Sequence, residues 1–100
     1  MSVNTDILPI GTIVTLQNDS NIKFMIVGYF PTNQSGEQRD YSAIRYPMGI
    51  YDNRMYFFFN SSDISNIIHR GFEDDEFIIM TELIKDNIKI IQKAGDTNGN

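Results

Sequence analysis

The alternation of apolar and polar positions predicts extended structure over the first sixty residues and helix after them. The β-branched run Thr12, Ile13, Val14 and Thr15, closed by Leu16, favours extended backbone and predicts a first strand over 12–16. Gln17–Asn21 reads as a hairpin loop, because Asn, Asp and Ser side chains bond their own backbone in turns. A second strand follows over 22–30. Phe24 and Ile26 point to one face and Met25, Val27 and Tyr29 to the other, the pattern of an interior strand covered on both sides. Gly28 interrupts it and predicts a bulge or bend. Residues 31–38 form a loop. A third, more polar strand spans 40–46 near a sheet edge, with Ser42, Ile44 and Tyr46 opposed to Tyr41, Ala43 and Arg45. Pro47 and Gly49 match the second and fourth positions of a type I reversal. A fourth strand covers 54–59, where Met55, Phe57 and Phe59 alternate with Tyr56 and Phe58. Both faces demand cover, so it reads as the most buried strand, and Phe58→Ala is expected to cost about 3 to 5 kcal/mol through a core cavity.

Beyond Phe59 the period lengthens to that of a helix. Asn60, Ser61 and Ser62 are competent N-caps, Asp63 suits the positive end of the dipole, and Ile64, Ile67 and Ile68 form one stripe. With Gly71 as a stop after Arg70, a short helix is predicted. A second helix is predicted from about Asp74 to about Ile91, with Phe77, Met80, Ile84, Ile88 and Ile91 along one side. Glu73–Glu76 gather at its positive end, and Lys85, Lys89 and Lys93 lie toward its negative end. The β-branched Ile88, Ile90 and Ile91 leave a final strand over 87–92 as the alternative. The sum is an α+β fold: a curved antiparallel sheet of about four strands, open or part-closed like a small barrel, followed by two helices that bury one of its faces. One domain is expected over residues 1–94. The tail 95–100 has no apolar anchor and is expected to be disordered.

Composition narrows the function classes. One hundred residues, 41% of them hydrophobic, suffice for one small core. The absence of Cys excludes disulfide scaffolding, thiolate metal sites and thiol catalysis, and a single His cannot build an imidazole pair. Thirteen acids against eight bases give a net charge of -5, which disfavours phosphate-backbone binding and suits a basic protein partner. The first residues lack the charged and apolar regions of a signal peptide, and no apolar run is long enough to span a bilayer. A cytoplasmic protein without membrane insertion is expected, with self-association left open.

Candidate chemistry is sparse. No nucleophile elbow, phosphate loop or dinucleotide fingerprint occurs, and His69, near the end of the first predicted helix, reads as a partly exposed residue suited to a helix C-terminus. No catalytic residue, metal ligand or cofactor is assigned. The acids Glu73, Asp74, Asp75 and Glu76 could attract a hard cation, and a small metal-dependent enzyme using Asp74, Asp75 and Glu76 is one alternative. Consecutive helical residues point in different directions, however, so a solvated helix terminus explains them better. With Phe72 the four acids also read as a docking patch, an aromatic anchor inside an anionic rim. The aromatic set from Tyr41 to Phe59 is expected to be mostly core. Tyr46 and Tyr51, which flank the Pro47–Gly49 turn, are the tyrosines expected as exposed partner contacts.

The ordered landmarks Leu8-Pro9-Ile10-Gly11-Thr12-Ile13-Val14, Met25-Ile26-Val27-Gly28-Tyr29, Asp40-Tyr41, Tyr46-Pro47-Met48-Gly49, Phe57-Phe58-Phe59-Asn60 and Gly71-Phe72-Glu73-Asp74-Asp75-Glu76 resemble the bacterial family 4176 of domains of unknown function. Their order and spacing, not any single block, carry the resemblance, which runs from about Leu8 to Phe77. It implies a small cytoplasmic protein encoded beside LXG-domain toxins of type VII secretion loci, and hence a non-enzymatic adaptor or chaperone-like factor that binds such a toxin. The alternative from another class is an immunity protein that binds the toxin's C-terminal domain.

Overall fold

The computed structural model of the protein describes residues 7–52 and 55–97, with the side chains of its C-terminal helix described as far as Asp86. The chain forms β1 (Ile13–Leu16), β2 (Asp19–Tyr29), β3 (Tyr41–Tyr46), β4 (Phe57–Phe59), a 3-10 turn (Ser61–Asp63), β5 (Ile64–His69) and α1 (Asp75–Thr97). The strands make one open sheet in the order β4-β3-β2-β1-β5, every pairing antiparallel. Two compact units result, one from Leu8 to Phe72 holding the whole sheet, the other containing α1.

β2 is the central strand, as its two apolar faces require. Register carries Val14, Phe24 and Arg45 along one line and Ile13, Met25 and Ile44 along the next. The first face holds the main core of Leu8, Val14, Phe24, Ile26, Tyr41, Ala43 and Phe59. On the opposite face Ile13 and Ile44 are buried as well. The bulge expected at Gly28 lies between Ile26 and Gly28, where a Cβ on Gly28 would come within 2.5 Å of Ser42 Oγ. It has a consequence the strict alternation missed. The extra residue turns Tyr29 onto the core face, where its ring lies 6.0 Å from that of Tyr41.

The stretch before β1 is fastened into the same core. Tyr29 Oη donates to the Leu8 carbonyl at 2.6 Å, and the Leu8 N–H donates to Tyr41 Oη at 3.1 Å. Burial pushes the Tyr29 hydroxyl up to about 12, with the neighbouring Tyr41 adding to the shift and a backbone hydrogen bond at Ile10 opposing it. Thr12, fully buried, donates from Oγ1 to the Pro9 carbonyl at 2.7 Å and accepts there from Gly71 N at 3.0 Å. Gly71 sits against the Ile10 carbonyl with no room for a side chain. Two landmarks sixty residues apart in sequence, Leu8–Val14 and Gly71, are thus one structural feature.

Three expectations are corrected. Residues 64–69 form strand β5, not a helix: its partner β1 has Val14 and Thr15 buried, and their backbone groups need a ladder that no helix could provide. Thr15 Oγ1 and Ser65 Oγ lie 2.9 Å apart across that pairing. His69 accordingly stands at the end of a strand opposite Ile13, and Asn60 heads only the short 3-10 turn, its N–H donating to Asp63 Oδ2 at 2.9 Å. The sheet therefore has five strands rather than four, it is open rather than part-closed, and one helix follows it rather than two. Second, β4 is an edge strand of three residues, not the most buried one; Phe57 and Phe58 are exposed and only Phe59 enters the core. Third, Tyr46-Pro47 is a cis peptide, and Gly49 N donates to the Arg45 carbonyl at 2.9 Å, in place of the type I reversal. The helix begins at Asp75, next to its expected start at about Asp74, and continues to Thr97, so 87–92 is helical and the alternative strand is not formed. Residues 98–100 of the expected tail lie outside the described residues.

Candidate functional site

Chain geometry around β4 places apolar side chains where a sheet has no neighbour. Phe57 and Phe59 pair opposite Ala43 and Tyr41, and Phe58 opposite Ser42, so Phe59 joins the core face and Phe58 the reverse face. Phe59 is 4% exposed and its ring lies 6.0 Å from Phe24 and 6.1 Å from Tyr41, whereas Phe58 is 39% exposed. Phe57 caps the core edge-on to Phe24 at 5.2 Å and remains partly in solvent. Tyr56 is exposed just before them, as are Tyr46 at the end of β3 and Met48, Ile50 and Tyr51 in the connection that follows it, the last at 63%. An edge strand offers unpaired backbone groups as well as side chains, and natural edges are usually shielded by charge or proline. This one is lined by aromatic rings, the residues most enriched at protein interfaces.

What holds the edge in place is polar. Asp40 Oδ2 accepts from Ser61 N at 2.8 Å, and Asn60 Oδ1 accepts from Asp40 N at 3.1 Å, a reciprocal pair that ties the start of β3 to the end of β4. Neither Asp40 nor Asn60 figured among the expected site residues, and the signal was there in the Asp40-Tyr41 and Phe59-Asn60 landmarks. The loop before β3 is organised by Asn33, whose Oδ1 accepts from the N–H groups of Ser35 and Glu37 at 3.0 and 2.9 Å. A side-chain hydrogen bond from Asn33, with Arg39 3.1 Å away in support, holds the Glu37 carboxyl below its ordinary range.

The residues expected as partner contacts divide between two places. Tyr46, at the end of β3, and Tyr51, in the connection between β3 and β4, are exposed. Phe72, 79% exposed, directly follows Gly71 and so projects from the anchor that Thr12 provides. Glu73, Asp74, Asp75 and Glu76 belong to the helical unit. There Asp74 is the N-cap: its Oδ1 accepts from Phe77 N at 3.0 Å and its carbonyl from Ile78 N at 3.1 Å. Asp75 and Glu76 occupy the first turn and are exposed. Among the described residues no three His, Cys, Asp or Glu side chains are grouped to hold a metal ion, and no helix is long and apolar enough to cross a membrane. Sequence reasoning overlooked Tyr56 and Phe58 as surface residues, because alternation alone cannot tell an edge strand from a central one, and it singled out neither Met48 nor Ile50 in the connection.

Fold and surface together define a small α+β protein built on a five-stranded antiparallel sheet with an exposed aromatic edge. The chain belongs to the domain of unknown function family DUF4176, which matches residues 7–80 and so takes in every strand and the start of α1. No curated protein and no solved structure matches it.

Proposed function

We propose that this protein is a non-enzymatic accessory factor that docks a protein partner on the β4 edge, and that the partner is an LXG-domain toxin which it accompanies, as an adaptor or chaperone-like factor in the cytoplasm, toward type VII secretion. The observation that carries the docking mode is the run of exposed Tyr46, Met48, Ile50, Tyr51, Tyr56 and Phe58 on one sheet edge and its connection. Such a surface costs solubility unless something covers it. The class of partner is what the resemblance to this family implies; the family match itself names no partner. Secretion-factor binding falls on the N-terminal half of the toxin, whereas an immunity role would need the C-terminal toxic half.

Co-expression of the chain with each half of a neighbouring toxin tests this. Co-purification with the N-terminal half, lost in Tyr51→Asp and kept in Gln34→Asp, is the expected result. Capture of the C-terminal half together with rescue of growth would replace the adaptor reading by immunity, and no complex with either half would defeat both.

A further inference from the structure

The helical unit carries a second apolar surface of its own. α1 runs 23 residues, and Phe77, Met80 and Ile84, spaced by three and four, form a half-buried stripe. A helix that needed only that stripe would be polar elsewhere. Instead Ile79 and Leu83, each 58% exposed, lie four apart on another side of the helix. At about 3.6 residues per turn, Asp75 and Glu82 run along one flank of this pair and Glu76 along the other. Between Arg70 and Lys85 the sequence contains no Lys or Arg, so the frame is uniformly anionic.

An apolar seam between charged flanks is how paired helices choose partners, the flanks selecting opposite charge. A second copy of the chain aligned on the same turns would set acid against acid, which is unfavourable. We propose that the Ile79–Leu83 face of the first three turns of α1 receives an amphipathic helix of a partner protein whose apolar seam is flanked by Lys or Arg. This goes beyond the sheet-edge reading, shares with it only the need for a protein partner, and uses the other unit of the chain.

The test is fluorescence anisotropy with the full chain and three labelled synthetic helical peptides. One has a leucine seam flanked by Lys, one the same seam flanked by Glu, and one the composition of the first with the seam scrambled. Only the first is expected to bind, more weakly at high salt. Leu83→Asp should abolish binding. The pair Asp75→Lys and Glu82→Lys should weaken it roughly fivefold, the scale of two exposed ion pairs. All three positions are exposed, and circular dichroism would verify that each variant is folded. Tyr51→Asp, the variant that tests the sheet edge, should leave peptide binding unchanged. Equal binding of the scrambled or Glu-flanked peptide, indifference to Leu83→Asp, loss with Tyr51→Asp, or a dimer in light scattering that Leu83→Asp dissolves would each overturn the assignment.

Discussion

Truncating the adjacent rings Phe58 and Phe59 should give very different results, although the sequence treats them alike. Phe59 is 4% exposed and contacts the rings of Phe24 and Tyr41, so Phe59→Ala removes a full core side chain and leaves a cavity worth about 3 to 5 kcal/mol. Phe58, at 39% exposure, keeps much of its surface in water already, and Phe58→Ala should cost only about 1 to 2 kcal/mol of lost burial. In a domain of this length each kcal/mol shifts the melting point by about 4 to 8 °C, so the two variants should be well resolved. Urea unfolding is a convenient assay, followed by far-ultraviolet circular dichroism and by the fluorescence of the five tyrosines, there being no tryptophan. Binding adds the second half of the prediction: Phe58→Ala should lose partner affinity while remaining folded. Equal destabilisation by the two substitutions would refute the placement of β4 at the edge, and with it the surface on which the proposed docking rests.

Further consequences follow from the fastening of the N-terminal segment. Thr12→Val keeps the volume but removes the acceptor for Gly71 N and the donor to Pro9 O, and chemical denaturation should show a loss of about 1 to 3 kcal/mol. Because the Tyr29 hydroxyl is raised in the fold, the unfolded chain releases its proton first. The stability Tyr29 contributes should be fully present below about pH 10 and be lost as pH rises from there to about 12, a slope that Tyr29→Phe should reduce in urea titrations at alkaline pH.

How far the fold was legible depended on whether a signal was local. The β-branched run at Thr12–Thr15, the doubly apolar 22–30 and the acids gathered at Glu73–Glu76 are local, and β1, β2 and the start of α1 emerged within a few residues of expectation. Gly28 disclosed its bulge but not the consequence for Tyr29, which depends on the register with Tyr41. Ile64, Ile67 and Ile68 suit a helix and a strand equally well. What decided between them was the unsatisfied edge of β1 fifty residues earlier, a non-local demand that periodicity does not carry. Phe57–Phe59 misled for the same reason: burial follows sheet order, and composition says nothing of which strand ends the sheet. At the surface, the exposure of Tyr46 and Tyr51 was readable from the turn they flank. Asp74 was read only as the approximate start of the helix, and its hydrogen bond to Phe77 N shows that it caps it.

Photocrosslinking at position 51 tests the central claim most directly. Tyr51 would be replaced by a benzophenone amino acid in the full chain and irradiated in cells that also make the LXG-domain toxin proposed as its partner, with position 34 as the exposed control. A covalent adduct between position 51 and the N-terminal half of the toxin, absent at position 34, is the predicted result. Adducts of equal yield at both positions, or none at position 51 while a complex still co-purifies, would contradict docking on the aromatic edge.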